Sequence, residues 1–312
     1  MEKTLAGKQK RVQNSRLFFK VCFLMFALVA LQLLVFVVVL LFSGEFSAIK
    51  RFSYNVLLEK TQNRAGYIEN LLNRKTSLVH EKAGEVNRTV GRLLEREGKT
   101  VGEVRSDREL NKKIIAAAAE SIVSLIRMDM ANDAFLYLNT GNLYESDGVN
   151  RLTGFYILDT DVNSNDMVEN EDLYLEMGSS ELAGQFGITM DYEWSLYTEL
   201  TKENDFRFFT EPVAAWEANP ELEDYNFGYW SGLSRISRSA EQSIKYTVPL
   251  VLDGEVYGVI GIGLLEKNIL SNIPASDFLN ESACYVLATD FDARGIYQTL
   301  LSSAAAYPRL VS

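Results

Sequence analysis

The sequence predicts an α+β fold that is attached to a membrane by one N-terminal helix. Three observations support this prediction: an apolar stretch at residues 21–42, a long proline-free segment with helical spacing at residues 45–98, and a hairpin pattern at residues 244–264. Helical and strand periodicities that occupy separate parts of one chain are typical of α+β proteins.

The apolar stretch is predicted to be a transmembrane helix at residues 21–42. It is long enough to cross a hydrocarbon core of ~30 Å, and Gln32 is its only polar side chain. A cleaved signal peptide, the alternative, would have a shorter apolar run and a small-residue cleavage site, which residues 42–46 do not offer. Residues 1–20 carry six basic side chains and one acidic side chain, so this tail is expected to stay in the cytoplasm.

The charge of the chain argues against nucleic acid as a partner. The formal net charge is −11, whereas a phosphate-binding surface needs an excess of Lys and Arg. Cys22 and Cys284 are the only cysteines and lie far apart in the chain, so no disulfide framework is expected. The sequence predicts no cofactor.

Residues 43–105 are predicted to form a long stalk helix. Apolar residues recur every seven positions, at Ala65, Leu72, Val79, Val86 and Leu93. Lys75 and Lys82 interrupt the second apolar position of this repeat. Two alternatives therefore stay open: the helix pairs with a second copy as a homodimer, or it packs on its own domain.

The rest of the chain alternates between helical and strand patterns. A second helix is predicted at residues 108–130, short strands at 135–138 and 155–158, and a short helix at 182–186 that ends at Gly187. Residues 244–252 and 256–264 are predicted to pair through the turn Asp253-Gly254. Pro249 is expected at an edge or a bulge of the sheet. A helix near Glu266 and a strand at residues 283–289 complete the pattern.

Three groups of motifs resemble the extracytoplasmic double Cache sensors of bacterial diguanylate cyclases, sensor histidine kinases and chemoreceptors. The first is GFYILDTD at residues 154–161 with EMGSS at 176–180. The second is DYEW at 191–194, FFTEP at 208–212 and GYWS at 228–231. The third is YTVPL at 246–250 with GVIGI at 258–262, a hairpin that most Cache domains share.

This resemblance implies two PAS-like lobes on a long helix, with a small-molecule pocket in the membrane-distal lobe. Residues 106–273 would form that distal Cache lobe, and residues 274–312 would begin the proximal one. The resemblance also implies a cytoplasmic output module after a second membrane helix, which the sequence to Ser312 does not contain. The expected function is therefore a membrane-anchored sensor of a signal-transduction receptor that lacks its output domain, in a chain that is truncated.

Aromatic residues of the strands and loops supply the candidate ligand site, because aromatic walls with a few polar groups hold small ligands. The candidate ligand-binding residues are Tyr156, Asp159, Asp191, Trp194, Tyr229, Trp230 and Tyr246. The amino-acid-binding double Cache domains carry an Arg shortly before a Trp-Tyr pair. This chain has no Arg directly before Trp194 or Trp230, so amino-acid binding is not implied.

Three other kinds of chemistry have weaker support. His80 is the only histidine, and with two distant cysteines it fits no zinc site or catalytic triad, so it is expected on the surface. The alternating oxygens of residues 159–166 suit calcium but lack the EF-hand glycine and glutamate. An extracytoplasmic hydrolase would need a carboxylate pair from Asp191, Glu193 and Glu211. A ligand-binding module without a signalling role is the nearer alternative to the sensor.

Overall fold

The computed structural model describes residues 2–42, 45–129, 131–159, 170–201, 206–222, 227–234, 242–271, 286–292 and 296–302. The chain divides into two units, Met1–Tyr67 and Ile68–Ser312. The first unit contains helix α1 (Glu2–Phe42) and the beginning of helix α2 (Glu45–Glu97). The second unit contains the rest of α2 and the sheet.

Helix α1 includes one segment that is long and apolar enough to cross a membrane. This segment, Phe18–Val39, has 22 residues and a mean hydropathy of 2.9, and none of it is buried in the protein. It overlaps the transmembrane helix predicted at residues 21–42. In the same unit, the described side chains of α2 are almost all exposed, including those of Phe52, Tyr54 and Leu58.

The second part of α2 packs on its own domain. Val79, Val86, Val90 and Leu93 are at most 5% exposed and belong to one apolar core. This core is shared with helix α3 (Arg108–Asp129), whose first turn is capped by the Asp107 carboxylate. Of the two alternatives for the stalk helix, packing on its own domain therefore holds for this part.

The main sheet has eight strands, seven of them in one continuous order. The strands of the chain are β1 (Asp133–Leu138), β2 (Arg151–Asp159), β3 (Leu173–Met177), β4 (Thr189–Ser195), β5 (Tyr197–Glu199), β6 (Tyr229–Ser234), β7 (Ser243–Leu252), β8 (Glu255–Leu265), β9 (Val286–Asp292) and β10 (Ile296–Ser302). The order is β4-β3-β2-β1-β8-β7-β6, with β5 beside β2, and β9 pairs with β10 in a separate sheet. All these pairs are antiparallel except β3 with β4, so the α+β prediction is confirmed.

The hairpin β7–β8 forms at the predicted turn. Asp253 and Gly254 both have positive φ, 52° and 79°, as a two-residue turn that matches the strand twist requires. Pro249 pairs with Val259 of β8 and lies beyond the last residue of β7 that pairs with β6, Thr247. A bulge follows directly after Leu250. Pro249 thus lies where no ladder bond to β6 is lost, as predicted.

The two faces of the sheet bury two separate apolar cores. Helices α2 and α3 cover one face, which we call the α2/α3 face. Helix α5 (Arg207–Ala218) packs against β6, β7 and β8 on the other, which we call the α5 face. The remaining helices are short: α4 (Ser180–Phe186), which ends at Gly187 as predicted, and α6 (Glu266–Ser271).

Candidate functional site

Two glycines of β8 let the side chains of β1 and β7 meet across this strand on the α5 face. Side chains that pair across neighbouring strands share one face of a sheet. Gly263 therefore lies between Asp133 of β1 and Lys245 of β7, and Gly261 lies between Phe135 and Thr247. Without side chains on Gly261 and Gly263, the residues of β1 and β7 approach each other across β8.

On this face a buried acid and a buried base belong to one hydrogen-bonded chain. Lys245 is 0% exposed, and its Nζ donates to Ser243 Oγ at 2.9 Å, Ser234 O at 3.0 Å and Ser234 Oγ at 3.2 Å. Ser243 Oγ in turn donates to Asp133 Oδ2 at 3.1 Å. Asp133 is 1% exposed, and within the described part of the chain its Oδ1 has no hydrogen-bond partner.

Burial and the nearby positive charge shift the pKa of the Asp133 carboxyl group in opposite directions. Burial raises the pKa of Asp133 above its ordinary value, while the positive charge of Lys245 and the hydroxyl groups of Ser243 and Tyr156 lower it. The pKa of Tyr156 lies well above its usual range because the phenol is buried and the negative charge of Asp133 is near. Tyr156 therefore keeps its proton beside the carboxyl group.

An aromatic cluster adjoins these polar groups on the same face. The ring of Phe208 lies 5.4 Å from that of Phe135 and 5.6 Å from that of Tyr137, and Lys245 Nζ is 6.0 Å from the Phe208 ring. Phe135 and Tyr156 also form an edge-to-face pair at 5.9 Å. The site thus combines apolar rings with one buried acceptor, and its members are closely packed: Asp133, Phe135, Tyr156, Lys245 and Phe208 are each at most 1% exposed.

Helix α5 is attached to the sheet by a hydrogen bond to the Phe208 carbonyl group. That carbonyl group lacks its usual donor within the helix because the residue four positions later is Pro212. Pro212 lies inside α5 and cannot donate to the carbonyl four residues earlier, which is that of Phe208. The Phe208 carbonyl instead accepts a hydrogen bond of 2.7 Å from Thr247 Oγ1. The FFTEP motif therefore places Phe208 against the sheet, beside Phe135 and Lys245.

The structure distributes the predicted site residues over several places. Tyr156 and Tyr229 lie at opposite ends of one cross-strand row on the α5 face, with Phe135 and Thr247 between them. Tyr156 is 1% exposed and Tyr229 is half-buried. Both therefore share the face of Asp133.

Two other predicted residues point to the α2/α3 face. The rings of Trp230 and Tyr246 lie 4.8 Å apart, and Tyr246 packs in the core beneath α2. Its hydroxyl group is 2.9 Å from His80 Nε2. His80 is thus half-buried and hydrogen-bonded, and the expectation of a surface histidine is wrong because this part of α2 is packed on the sheet.

The last three predicted residues lie on or beside β2 and β4. Asp159 ends β2 and pairs with Arg127 of α3 at 3.3 Å, and Arg127 also pairs with Asp172. Asp191 and Trp194 lie on β4 at the edge of the sheet, where Trp194 Nε1 donates to Gly178 O at 2.9 Å. They are separated from the α5 helix by β3, β2 and β1.

Sequence analysis did not find Asp133, Lys245 and Phe208 as members of one site. A signal was present for Lys245, because it stands in a run of strand-forming residues, where an ionisable side chain must be paired; Asp133 only precedes such a run. Their proximity depends on β1 and β7 lying on either side of β8, which local sequence does not specify.

The weaker chemical alternatives gain no support from the described residues. No group of three His, Cys, Asp or Glu that could hold a metal occurs among them, and residues 160–169 of the calcium hypothesis lie outside the described chain. Glu211 lies on α5, whereas Asp191 and Glu193 lie on the distant edge strand β4. The structure therefore does not bring the three carboxylates of the hydrolase hypothesis together.

Neither the models of protein families nor the curated proteins match this chain. Solved structures do. The periplasmic sensory domain of the Campylobacter jejuni chemoreceptor Tlp1 is 13% identical, with a TM-score of 0.39 over 79% of this chain and 73% of that one. The sensory domain of Tlp3 from the same organism, with isoleucine bound, is 12% identical, with a TM-score of 0.31 over 78% and 75%.

The extracellular domain of the candidate histidine kinase soHK1S-Z6 is also similar. It is 11% identical, with a TM-score of 0.31 over 75% of this chain and 72% of that one.

Proposed function

We propose that this protein is a membrane-anchored, extracytoplasmic sensor of a small molecule, and that the ligand binds on the α5 face of the sheet. The proposed role is binding and signalling, without turnover. The sequence motifs resemble double Cache sensors, and the α5 face supplies the buried polar and aromatic groups that such a site requires.

The observation that carries this proposal is Asp133 Oδ1, a buried acceptor with no direct hydrogen bond among the described residues, although the Tyr156 hydroxyl lies near the same carboxyl group. A buried acceptor that lacks a partner costs roughly 1–3 kcal/mol, so native structures rarely keep one without a reason. Lys245 already donates to three oxygens, so its ammonium group is occupied by the protein. A ligand with an N–H or O–H donor would satisfy Asp133 Oδ1 and place its apolar part against Phe135 and Phe208.

The proposed orientation places the N-terminus in the cytoplasm. Five basic residues precede the apolar segment Phe18–Val39 and Lys20 lies in its first turn, whereas only Lys50 and Arg51 closely follow it, and the more basic flank stays inside. The sheet would then lie outside the cell membrane. Helix α2 would carry the signal toward the membrane.

We further propose that the exposed first part of α2 pairs with a second copy of the chain. The segment at residues 50–67 exposes Phe52, Tyr54, Leu57 and Leu58. A helix with exposed apolar residues gains most of its stability by packing, and a parallel partner would bury them. The homodimer would thus form through this segment, since Val79 and Val86 are already buried in the domain.

The test is thermal unfolding of the full chain in lipid nanodiscs against a library of amines, alcohols, amino acids and nucleosides. A specific ligand at a hundredfold excess over its Kd should stabilise the protein by about 2.7 kcal/mol. We expect Asp133→Asn to abolish this stabilisation and Glu120→Gln, an exposed change on α3, to preserve it.

Trp230→Ala separates the two candidate positions of the ligand. Loss of binding in Trp230→Ala, with binding retained in Asp133→Asn, would place the ligand on the α2/α3 face and contradict the proposed site. Loss only in Asp133→Asn would support it.

A further inference from the structure

Two tyrosine hydroxyl groups of the hairpin β7–β8 join it to helix α2. Tyr246 of β7 lies 2.9 Å from His80 Nε2, and Tyr257 of β8 donates to Asn87 Oδ1 at 2.8 Å. His80 and Asn87 are seven residues apart, which is about two turns of helix. Ala83 and Val86, which lie between them, belong to the apolar core and cannot form hydrogen bonds through their side chains, so the two polar contacts fix the position of α2 along the hairpin.

Tyr246 differs from Tyr257 because its two neighbours in the strand contact the proposed ligand site. Its neighbours Lys245 and Thr247 both point to the α5 face, because successive side chains of a strand alternate between faces. Lys245 leads to Asp133 through Ser243, and Thr247 holds the Phe208 carbonyl. One three-residue stretch of β7 therefore contacts the proposed ligand site on one face and α2 on the other.

The phenol of Tyr246 is held in place on several sides. Trp230 packs against its ring, His80 meets it edge to face at 6.0 Å, and a Cβ at Gly228 would overlap it. Tyr246 is 5% exposed. A tightly packed side chain of this kind moves with its backbone, so a shift of β7 is transmitted to His80.

Tyr257 provides a matched comparison within the same hairpin. Its neighbours Val256 and Gly258 lie near the turn and, among the described residues, are not part of the hydrogen-bonded chain from Asp133 to Lys245. The hydroxyl bond of Tyr257 to α2 is similar in length to that of Tyr246. The Tyr257–Asn87 hydrogen bond thus attaches α2 to the hairpin but, in the described part of the chain, has no contact through which a change at the α5-face site would reach it.

We propose that Tyr246 and His80 form the positioning pair through which the state of the α5-face site reaches helix α2, while Tyr257 and Asn87 act as a fixed attachment. This inference rests on the proposed function, because it assigns the regulation of the same site. Occupation of the site would alter the Lys245 and Thr247 contacts, shift β7 and change the Tyr246–His80 hydrogen bond.

His80 is the only histidine of the chain, so isotope-labelled histidine gives a single reporter signal. The experiment records the imidazole NMR signal of the labelled full chain in lipid nanodiscs, without any ligand. The site is perturbed from the opposite face by Asp133→Asn and, separately, by Thr247→Val. We expect each change to displace the His80 signal, and we expect Tyr246→Phe to abolish that displacement while Tyr257→Phe preserves it.

Two results would overturn the inference: a His80 signal that does not respond to either site variant, or a displacement that persists in Tyr246→Phe. Thr247→Val serves as the test if Asp133→Asn does not fold. The coupling of the site to His80 and the binding of a metabolite can be refuted independently. Metabolite binding that depends on Asp133 with a silent His80 would refute the coupling alone, and a responsive His80 with no bound metabolite would refute the sensor role alone.

Discussion

The carboxyl group of Asp133 lies directly over Gly263 of the neighbouring strand, and a Cβ at position 263 would overlap both carboxyl oxygens. We therefore expect Gly263→Ala to destabilise the domain by about 1–3 kcal/mol, the usual effect of overpacking a buried site. Urea unfolding of the full chain in nanodiscs measures this difference.

Gly232→Ala is the control for that change, because Gly232 lies in β6 of the same sheet and has no atom within 4 Å of the position of an added Cβ. It should have little effect on the free energy of unfolding. Combining Gly263→Ala with Asp133→Ala should restore part of the lost stability, since it removes the overlapping atoms. Equal losses in Gly263→Ala and Gly232→Ala would contradict the close approach of Asp133.

The raised pKa of Asp133 predicts a specific dependence of stability on pH. An unfolded Asp titrates near pH 3.9, whereas burial raises the pKa of Asp133 in the folded protein. Between these two values the folded state binds more protons, so this residue lowers the free energy of unfolding as the pH rises above about 4. In Asp133→Asn this contribution is absent.

The stability of Asp133→Asn relative to the unmutated protein should therefore increase as the pH rises from about 3.5, and then level off above the folded pKa. Urea unfolding at a series of pH values measures the difference. Glu120→Gln, which removes an exposed carboxylate, should show no such trend. A difference for Asp133→Asn that stays constant with pH would refute the raised pKa.

Elements with strong local signals could be predicted from the sequence. The turn Asp253-Gly254, the helix end at Gly187 and the long helix α2 all lie where their residues indicate. Strand β4 and its parallel pairing with β3 were not predicted, because β4 is largely exposed and lacks an apolar alternation. Helix α5 contains Pro212, which argues against a helix in sequence analysis.

The candidate site was predicted only in part, because residues next to each other in a strand point to opposite faces. Tyr229 and Trp230 are neighbours in sequence, yet Tyr229 shares the α5 face with Tyr156, and Trp230 packs with Tyr246 beneath α2. Assigning a face requires the register of each strand pair. That register depends on bulges, such as the one between Trp230 and Leu233, which the sequence does not reveal.

Arg127 should contribute to stability through its two acidic partners. It contacts Asp159 and Asp172, and the hydrogen bond from Arg127 is the main cause of the lowered pKa of Asp172. We expect Arg127→Met to destabilise the domain by about 1.5–3 kcal/mol near neutral pH, the range for hydrogen bonds to charged groups. Because the folded pKa of Asp172 is lowered, this loss should shrink as the pH falls below about 4.

Lys112→Met is the matched control for Arg127→Met. Lys112 pairs with Glu109 on the exposed side of the same helix, where both side chains are more than 70% exposed. Such a surface pair contributes little to stability, because solvent and salt screen its charges. Similar losses in the two variants would indicate that the Arg127 cluster is no more important than a surface ion pair.

The two parts of α2 should respond differently to the loss of an apolar side chain. Val86 is 0% exposed in the domain core, whereas Leu58 is 42% exposed. We expect Val86→Ala to destabilise the domain by roughly 1–3 kcal/mol through the cavity it leaves. Leu58→Ala should leave domain unfolding unchanged and weaken self-association, which analytical ultracentrifugation of the detergent-solubilised full chain measures. Unchanged association in Leu58→Ala would argue against the proposed dimer contact.

The bond between Thr247 and the Phe208 carbonyl gives a prediction that involves the proline of α5. Thr247→Val removes the hydroxyl group and leaves that buried carbonyl without its donor, so the domain should lose about 1–3 kcal/mol. Thr247→Ser keeps the hydroxyl group and should lose less.

Pro212→Ala supplies a backbone N–H four residues after Phe208, which can bond the same carbonyl within the helix. The double variant of Thr247→Val with Pro212→Ala should therefore be more stable than the sum of the two single changes predicts, by about 0.5 kcal/mol or more. Urea unfolding of the four proteins gives this coupling. If the two effects were simply additive, the proline would not be what leaves the Phe208 carbonyl available to Thr247, and the attachment of α5 to the sheet would need another cause.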